Sequence, residues 1–194
     1  MPTRWRLWPP FRDLTEPRRW TLVALLAAVL VVSGWLTLRT WPPSPGSVID
    51  FELAGDDGVR RFLNEWGIDE RREAAKVVLL DLPFLVAYGL GGALLLDGAA
   101  RWSASLNERW VRFLRRCAWL PIVAACLDVV ENVALLVVTT NRVDGWPDLA
   151  EVMARLKFGV LSGFYAVLLA ALVSALIARR RRVGGGSGAA PAPA

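Results

Sequence analysis

The chain of 194 residues contains no histidine and only two cysteines, two methionines and two tyrosines. Without histidine there is no imidazole to act as a base near neutral pH and no histidine-rich metal site. Two cysteines are too few for a disulfide scaffold. Cys117 and Cys126 lie nine positions apart on one apolar stretch, a rise of about 13 Å along a helix, too far for a bridge. Polar residues are scarce as well. Hydrophobic residues make up 55%, charged residues 21%, and mean hydropathy is +0.39. Soluble domains run at about 45–50% apolar even when glycine is counted. The chain is also too apolar for disorder, which goes with low hydrophobicity and high net charge.

What the sequence has instead is four long apolar runs, at residues 20–38, 77–96, 117–138 and 156–178. A spanning helix needs roughly 17–25 mostly apolar residues. The runs are continuous rather than alternating, so helices are expected rather than barrel strands. A soluble protein with four buried helices would lack the polar faces needed to cover them. The first run exceeds the roughly 7–15 residues of a signal-peptide core, and no A-x-A site follows it. It is read as a retained helix. The expected architecture is therefore all-α, a four-helix transmembrane bundle. A basic segment at 1–19 precedes it, and a basic and then disordered tail at 179–194 follows.

Charge placement sets the expected orientation. Fourteen basic residues lie on the side of the termini and the middle loop, and nine on the other. Basic residues near span ends favour the cytoplasm, so both termini are expected inside, in a bacterial-type inner membrane. The net charge of +5 sits in clusters beside the spans. That placement points to the lipid bilayer as partner and not to nucleic acid. Trp20, Trp41, Trp119 and Trp146 fit interfacial belts, and the segment 5–11 is expected on the membrane surface.

The first outer loop carries Val59, Phe62, Leu63 and Trp66, spaced as one helical stripe. Asp56 or Asp57 is expected to cap this external amphipathic helix, and Gly67 to end it. A lid and a packed surface helix are both open readings. Residues 103–116 are expected to extend the third helix. Gly159/Gly163, Gly89/Ala93 and Ala24/Ala28 are small-residue pairs suited to close helix contact.

The informative residues are acids inside the apolar runs: Asp81 in the second, and Asp128 and Glu131 beside Asn132 in the third. Each ionisable group costs at least about 2.5–3.5 kcal/mol at the centre of a spanning helix. Asp128, Glu131 and Asn132 share one helix face. From the rise per residue, Asp81 lies about 7 Å and Glu131 about 11 Å from the outer ends of their spans. Lys157 opens the fourth span on that side, and Tyr88 shares a face with Asp81. Tyr165 and Ser162 are expected to reach the deeper part of the same hollow. Asp81, Tyr88, Asp128, Glu131, Asn132 and Lys157 are thus expected to form an acidic site in the outer half, binding a cation or a lipid headgroup. Its oxygen donors suit Mg, Ca or Mn. Three other readings stay open. They are a metal-dependent enzyme acting on a lipid headgroup or isoprenoid phosphate, a proton-coupled transporter, and a purely structural hydrogen-bond network. Oligomeric state is not specified.

Two stretches carry a resemblance. Asp81, Phe84 and Tyr88 form an Asp-x-x-Phe-x-x-x-Tyr pattern, and Asp128, Glu131 and Asn132 an Asp-x-x-Glu-Asn pattern. Together with the segment FELAG at 51–55 and with Trp66, they resemble a family of uncharacterised bacterial multi-pass membrane proteins. The resemblance covers roughly residues 51–138 and implies no activity. The absence of histidine separates the chain from ceramidase-like membrane hydrolases. No P-loop, CDP-alcohol transferase or nucleophile-elbow signature is present.

Overall fold

A computed structural model describes residues 14–42, 46–103, 107–140 and 145–184. Every regular element among them is a helix, and four helical stretches are long and apolar enough to cross a membrane. The first is α1 (Glu16–Thr40). Two short helices follow, α2 (Val48–Glu52) and α3 (Gly55–Glu65). Then come α4 (Ile68–Trp102), α5 (Glu108–Cys117), α6 (Leu120–Thr139) and α7 (Trp146–Gly184).

Local chemistry explains the boundaries. Pro17 stands in the first turn of α1, where its missing N–H costs nothing. Helix α2 starts on a capping box: the Ser47 hydroxyl accepts from Asp50 N–H at 3.2 Å, and the Asp50 carboxylate accepts from Ser47 N–H at 2.8 Å. Gly55 opens α3 at φ +59°, and a side chain there would also meet the Glu151 carboxylate. Only glycine fits both demands. The expected caps are corrected here. Ala54 precedes α3 without a side-chain bond, and Asp56 and Asp57 sit in the first turn. Gly67 is extended and begins α4 rather than ending α3. Helix α4 therefore starts nine residues before the apolar run at 77, because Ile68 to Lys76 is polar but helix-competent. Residues 103–116 extend the third helix only in part. A turn at Ala118–Trp119, just before Pro121, separates α5 from α6. Helix α7 continues to Gly184, so the basic run at 179–182 is helical. The segment 5–11 and residues 185–194 lie outside the described residues.

Helix α4 packs on α1, α6 and α7, and α6 packs along α7. The buried positions of α6 include Pro121, Ala124, Asp128, Glu131, Leu135 and Val138, flanked by Asn132 and Ala134, and those of α7 include Ala150, Ala154, Lys157, Phe164 and Ala171. Steps of three and four are the repeat of two helices meeting at a shallow angle. Two apolar clusters follow from this repeat. One, at the end covered by α2 and α3 (the cap end), joins Phe51, Phe62 and Trp66 to Ala74, Val78, Leu135, Val138 and Ala150. Its rings stand 5.1–5.2 Å apart. The other, toward the opposite end (the base), joins Ala93, Leu94, Leu96, Val111, Leu114, Phe164 and Ala171.

Small residues set the spacing unevenly. At Gly92 a Cβ would stand 2.8 Å from the Pro121 side chain and 3.0 Å from the Phe164 ring. Gly89 likewise faces Ala125. Gly159 and Gly163, by contrast, face open space, and Ala24 and Ala28 are exposed. Those two pairs do not mediate contacts among the described residues. Gly92→Ala should therefore lower stability by about 1–3 kcal/mol through overpacking, whereas Gly163→Ala should not lower it. Thermal unfolding of both variants in detergent checks the contrast.

Candidate functional site

Between the two apolar clusters lies a polar layer. On α4, α6 and α7 alike, charged residues separate apolar positions toward the cap from apolar positions toward the base, α6 running in the opposite direction to the other two. The centre is the Lys157 ammonium on α7, which is buried. Its Nζ lies 3.0 Å and 2.9 Å from the two Glu131 oxygens, 3.1 Å from Asp128 Oδ1 and 3.2 Å from Glu52 Oε2. The Phe158 ring lies 4.9 Å from the same nitrogen. Glu131 is fully buried and Asp128 nearly so. Tyr88 donates its hydroxyl to Asp128 Oδ2 at 2.8 Å. Asn132 donates to Asp81 Oδ2 at 2.9 Å. Each of these hydrogen bonds and ion pairs joins two different elements, so α2, α4, α6 and α7 are tied through one group of side chains.

Asp81, Tyr88, Asp128, Glu131, Asn132 and Lys157 thus come together in the structure. Lys157 pairs with Glu131 and Asp128, but not with Asp81. Of the four carboxylates, Asp81 is the one with no ammonium or guanidinium within 4.0 Å among the described residues. It is half-buried, held on one oxygen by Asn132. Ser162 and Tyr165 do not join the group. Ser162 donates back to the Phe158 carbonyl and is exposed, and Tyr165 is 61% exposed. Both stand off the α7 seam that carries Lys157 and Phe164.

Glu52 is the residue that sequence reasoning missed. It sits at the end of a five-residue helix, too short for a periodicity signal. The Ser47-x-x-Asp50 spacing was the available sign of a helix start. Phe51 beside it is buried in the aromatic cluster, which fixes α2 over the layer. Burial pushes the Glu52 carboxyl above its ordinary range, and the Lys157 ammonium opposes that rise. Hydrogen bonds from Ser47 hold the Asp50 carboxyl below its ordinary range.

A second charged group lies at the base. Arg19 of α1 and Asp97 of α4 form a buried ion pair at 2.8 Å, with Arg101 at 3.2 Å and Arg115 at 4.0 Å from the same carboxylate. Asp97 follows directly on an apolar run that was closed at residue 96, so the sequence reading left it aside.

The donor set does not suit a divalent ion. Among the described residues no three acidic or thiol side chains are arranged to hold a metal. Where Glu52, Asp128 and Glu131 converge, Lys157 Nζ supplies the positive charge. No protein-family model, characterised protein or solved structure matches the chain.

Two expectations follow. Lys157→Met would leave buried carboxylates without their cation and should cost about 3–5 kcal/mol. Adding Glu131→Gln should restore part of that loss, which equilibrium unfolding in detergent would measure. The second concerns pH. A carboxyl raised on folding favours the native state most below its unfolded pKa, and that contribution is lost as pH rises through the native value. Glu52→Gln should therefore flatten the fall of stability with rising pH above the ordinary carboxyl range, with Asp128, Glu131 and Lys157 left as the charged groups facing residue 52.

Proposed function

We propose that the chain is a multi-pass membrane protein that binds the ammonium group of a lipid headgroup in the acidic layer, beneath a cap formed by α2 and α3. In this reading the four long helices form a transmembrane bundle in a bacterial-type inner membrane. Both termini are cytoplasmic, and α3 is an external amphipathic helix. The observation that carries the reading is Asp81: a half-buried carboxylate anchored by Asn132 in a layer where the other three carboxylates surround the one lysine. Phe84 and Tyr88, whose rings lie 5.7 Å apart, follow at the third and seventh positions on the same helix face. A carboxylate flanked by aromatic faces suits an organic ammonium group.

The other readings draw less support. A metal-dependent enzyme would need the centre that Lys157 occupies. A proton-coupled transporter would need polar groups through the whole thickness. Below Tyr88, α4 packs through Gly89, Gly92 and Ala93 against α6 and α7, with no buried polar side chain before Asp97.

The test is native mass spectrometry of the full-length protein from bilayer discs holding ethanolamine- and glycerol-headgroup lipids. We expect retention of the ethanolamine lipid, weakened about tenfold by Asp81→Asn, a loss of about 1.4 kcal/mol, and a few-fold by Phe84→Leu. Equal retention by wild type and Asp81→Asn would overturn the proposal.

A further inference from the structure

We infer that two apolar furrows flanking Val86 hold the two acyl chains of the lipid whose ammonium group Asp81 takes, so that the ligand is a two-chain lipid and not a single-chain lipid or a soluble amine. The inference rests on the headgroup reading above. The first furrow runs between α4 and α6, with a volume of about 310 Å³. Leu85 and Gly89 on its α4 side stand four and eight positions after Asp81, and Val129, Ala125 and Ile122 on its α6 side stand three, seven and ten before Asn132. Those are steps along one face of each helix. The furrow thus continues the line of the Asp81–Asn132 hydrogen bond toward the base. The second furrow, of about 360 Å³, runs between α4 and α1. It begins at Leu82, next to Asp81, and passes Pro83 and Val86 to Ala87, with Leu26 and Val29 on the α1 side. Val86 is 57% exposed and lines both furrows as the ridge between them.

Size, direction and lining fit acyl chains. Ligand clefts run at roughly 300–1,000 Å³, and each furrow is at the small end of that range. From Asp81 to Leu90 the first furrow descends about 14 Å along α4. A lipid of the outer leaflet lies the same way, headgroup at the cap end and chains toward the base. No lining residue of either furrow carries a hydroxyl, an amide or a charge. The floors at Leu85, Ala87 and Gly89 are buried, whereas Val86, Cys126 and Val129 on the rims are exposed, so the furrows open sideways. One partner helix could not enter two furrows on either side of an exposed ridge, but two thin chains joined at one headgroup can. An apolar furrow alone selects no lipid, since the surrounding chains are as apolar as its walls. Selection comes from tethering: once Asp81 holds the ammonium group, both chains meet their furrows as intramolecular events.

The test uses the full-length protein in discs of glycerol-headgroup lipid carrying a minor share of ethanolamine lipid, in its two-chain or single-chain form, read by native mass spectrometry. We expect the two-chain form to be retained about tenfold better than the single-chain form. Cys126→Trp, which fills the α4/α6 furrow, and Val29→Trp, which fills the α1/α4 furrow, should each lower retention of the two-chain lipid several-fold, toward the level of the single-chain one. Val123→Trp, on an exposed face of α6 outside both furrows, should change it little. If Asp81→Asn weakens retention while the two furrow variants behave like Val123→Trp, the headgroup reading stands and the furrow assignment is overturned. If the furrow variants weaken retention and Asp81→Asn does not, the headgroup reading falls, and the assignment of the furrows to that lipid falls with it. A photoreactive group midway along either chain gives a second readout on the unaltered protein. Its adducts should concentrate on Val86, Leu90 and Cys126, and an even spread over the exposed faces of α1 and α6 would overturn the inference, as would a protein dimer that Cys126→Trp abolishes.

Discussion

One ammonium group holds the centre of this protein. Lys157 reaches three carboxylates from two other helices within 3.2 Å, and nothing else among the described residues neutralises them. Buried charges are costly unless paired with good geometry, and acids within spanning helices are costlier still. The pairing therefore fixes the register of α7 against α6. A shift by one residue would swing Lys157 off the seam and leave Asp128 and Glu131 facing apolar side chains. Apolar layers above and below would tolerate such a slip more readily, since one small or branched residue resembles the next. The polar layer supplies the specificity that the apolar contacts lack.

The cap extends this logic. Helices α2 and α3 are short, yet Phe51, Phe62 and Trp66 gather into one aromatic cluster over the ends of α4, α6 and α7. Aromatic contacts at these separations add to the area they bury. Their packing carries Glu52 to the layer, so a short connection becomes part of the charged centre. The capping box at Ser47 and the left-handed turn at Gly55 are the two local devices that aim it.

Much of this was legible from residue order. The four helical runs follow from length and hydropathy, and the spacing of Asp128, Glu131 and Asn132 placed them on one face. Asp81 and Lys157 were drawn to the same end by counting the rise along each helix. What could not be read was pairing. Periodicity says which side chains share a face but not which face meets which helix. So residue order does not name the partner of Lys157, and it makes Tyr165 and Ser162 look as suitable as Tyr88. The Gly159/Gly163 pair illustrates the same limit: its spacing suits a helix contact, yet α7 turns the opposite stripe inward. Glu52 was hidden for another reason, since a single turn of helix leaves no repeat to detect and depends on tertiary packing for its position.

Helix α1 makes its main contacts with a single helix among the described residues. It leans on α4, with Leu26 near Gly91 and Gly34 near Phe84, and its one buried ion pair is Arg19 with Asp97. Synthesis delivers this arm before its carboxylate tether, which follows about eighty residues later. The cation that quiets Asp128 and Glu131 arrives later still, on α7. Until α7 is in place those two acids lack their cation, so α6 and α7 are best committed to the membrane as a hairpin, with the second arm completing the neutralisation of the first.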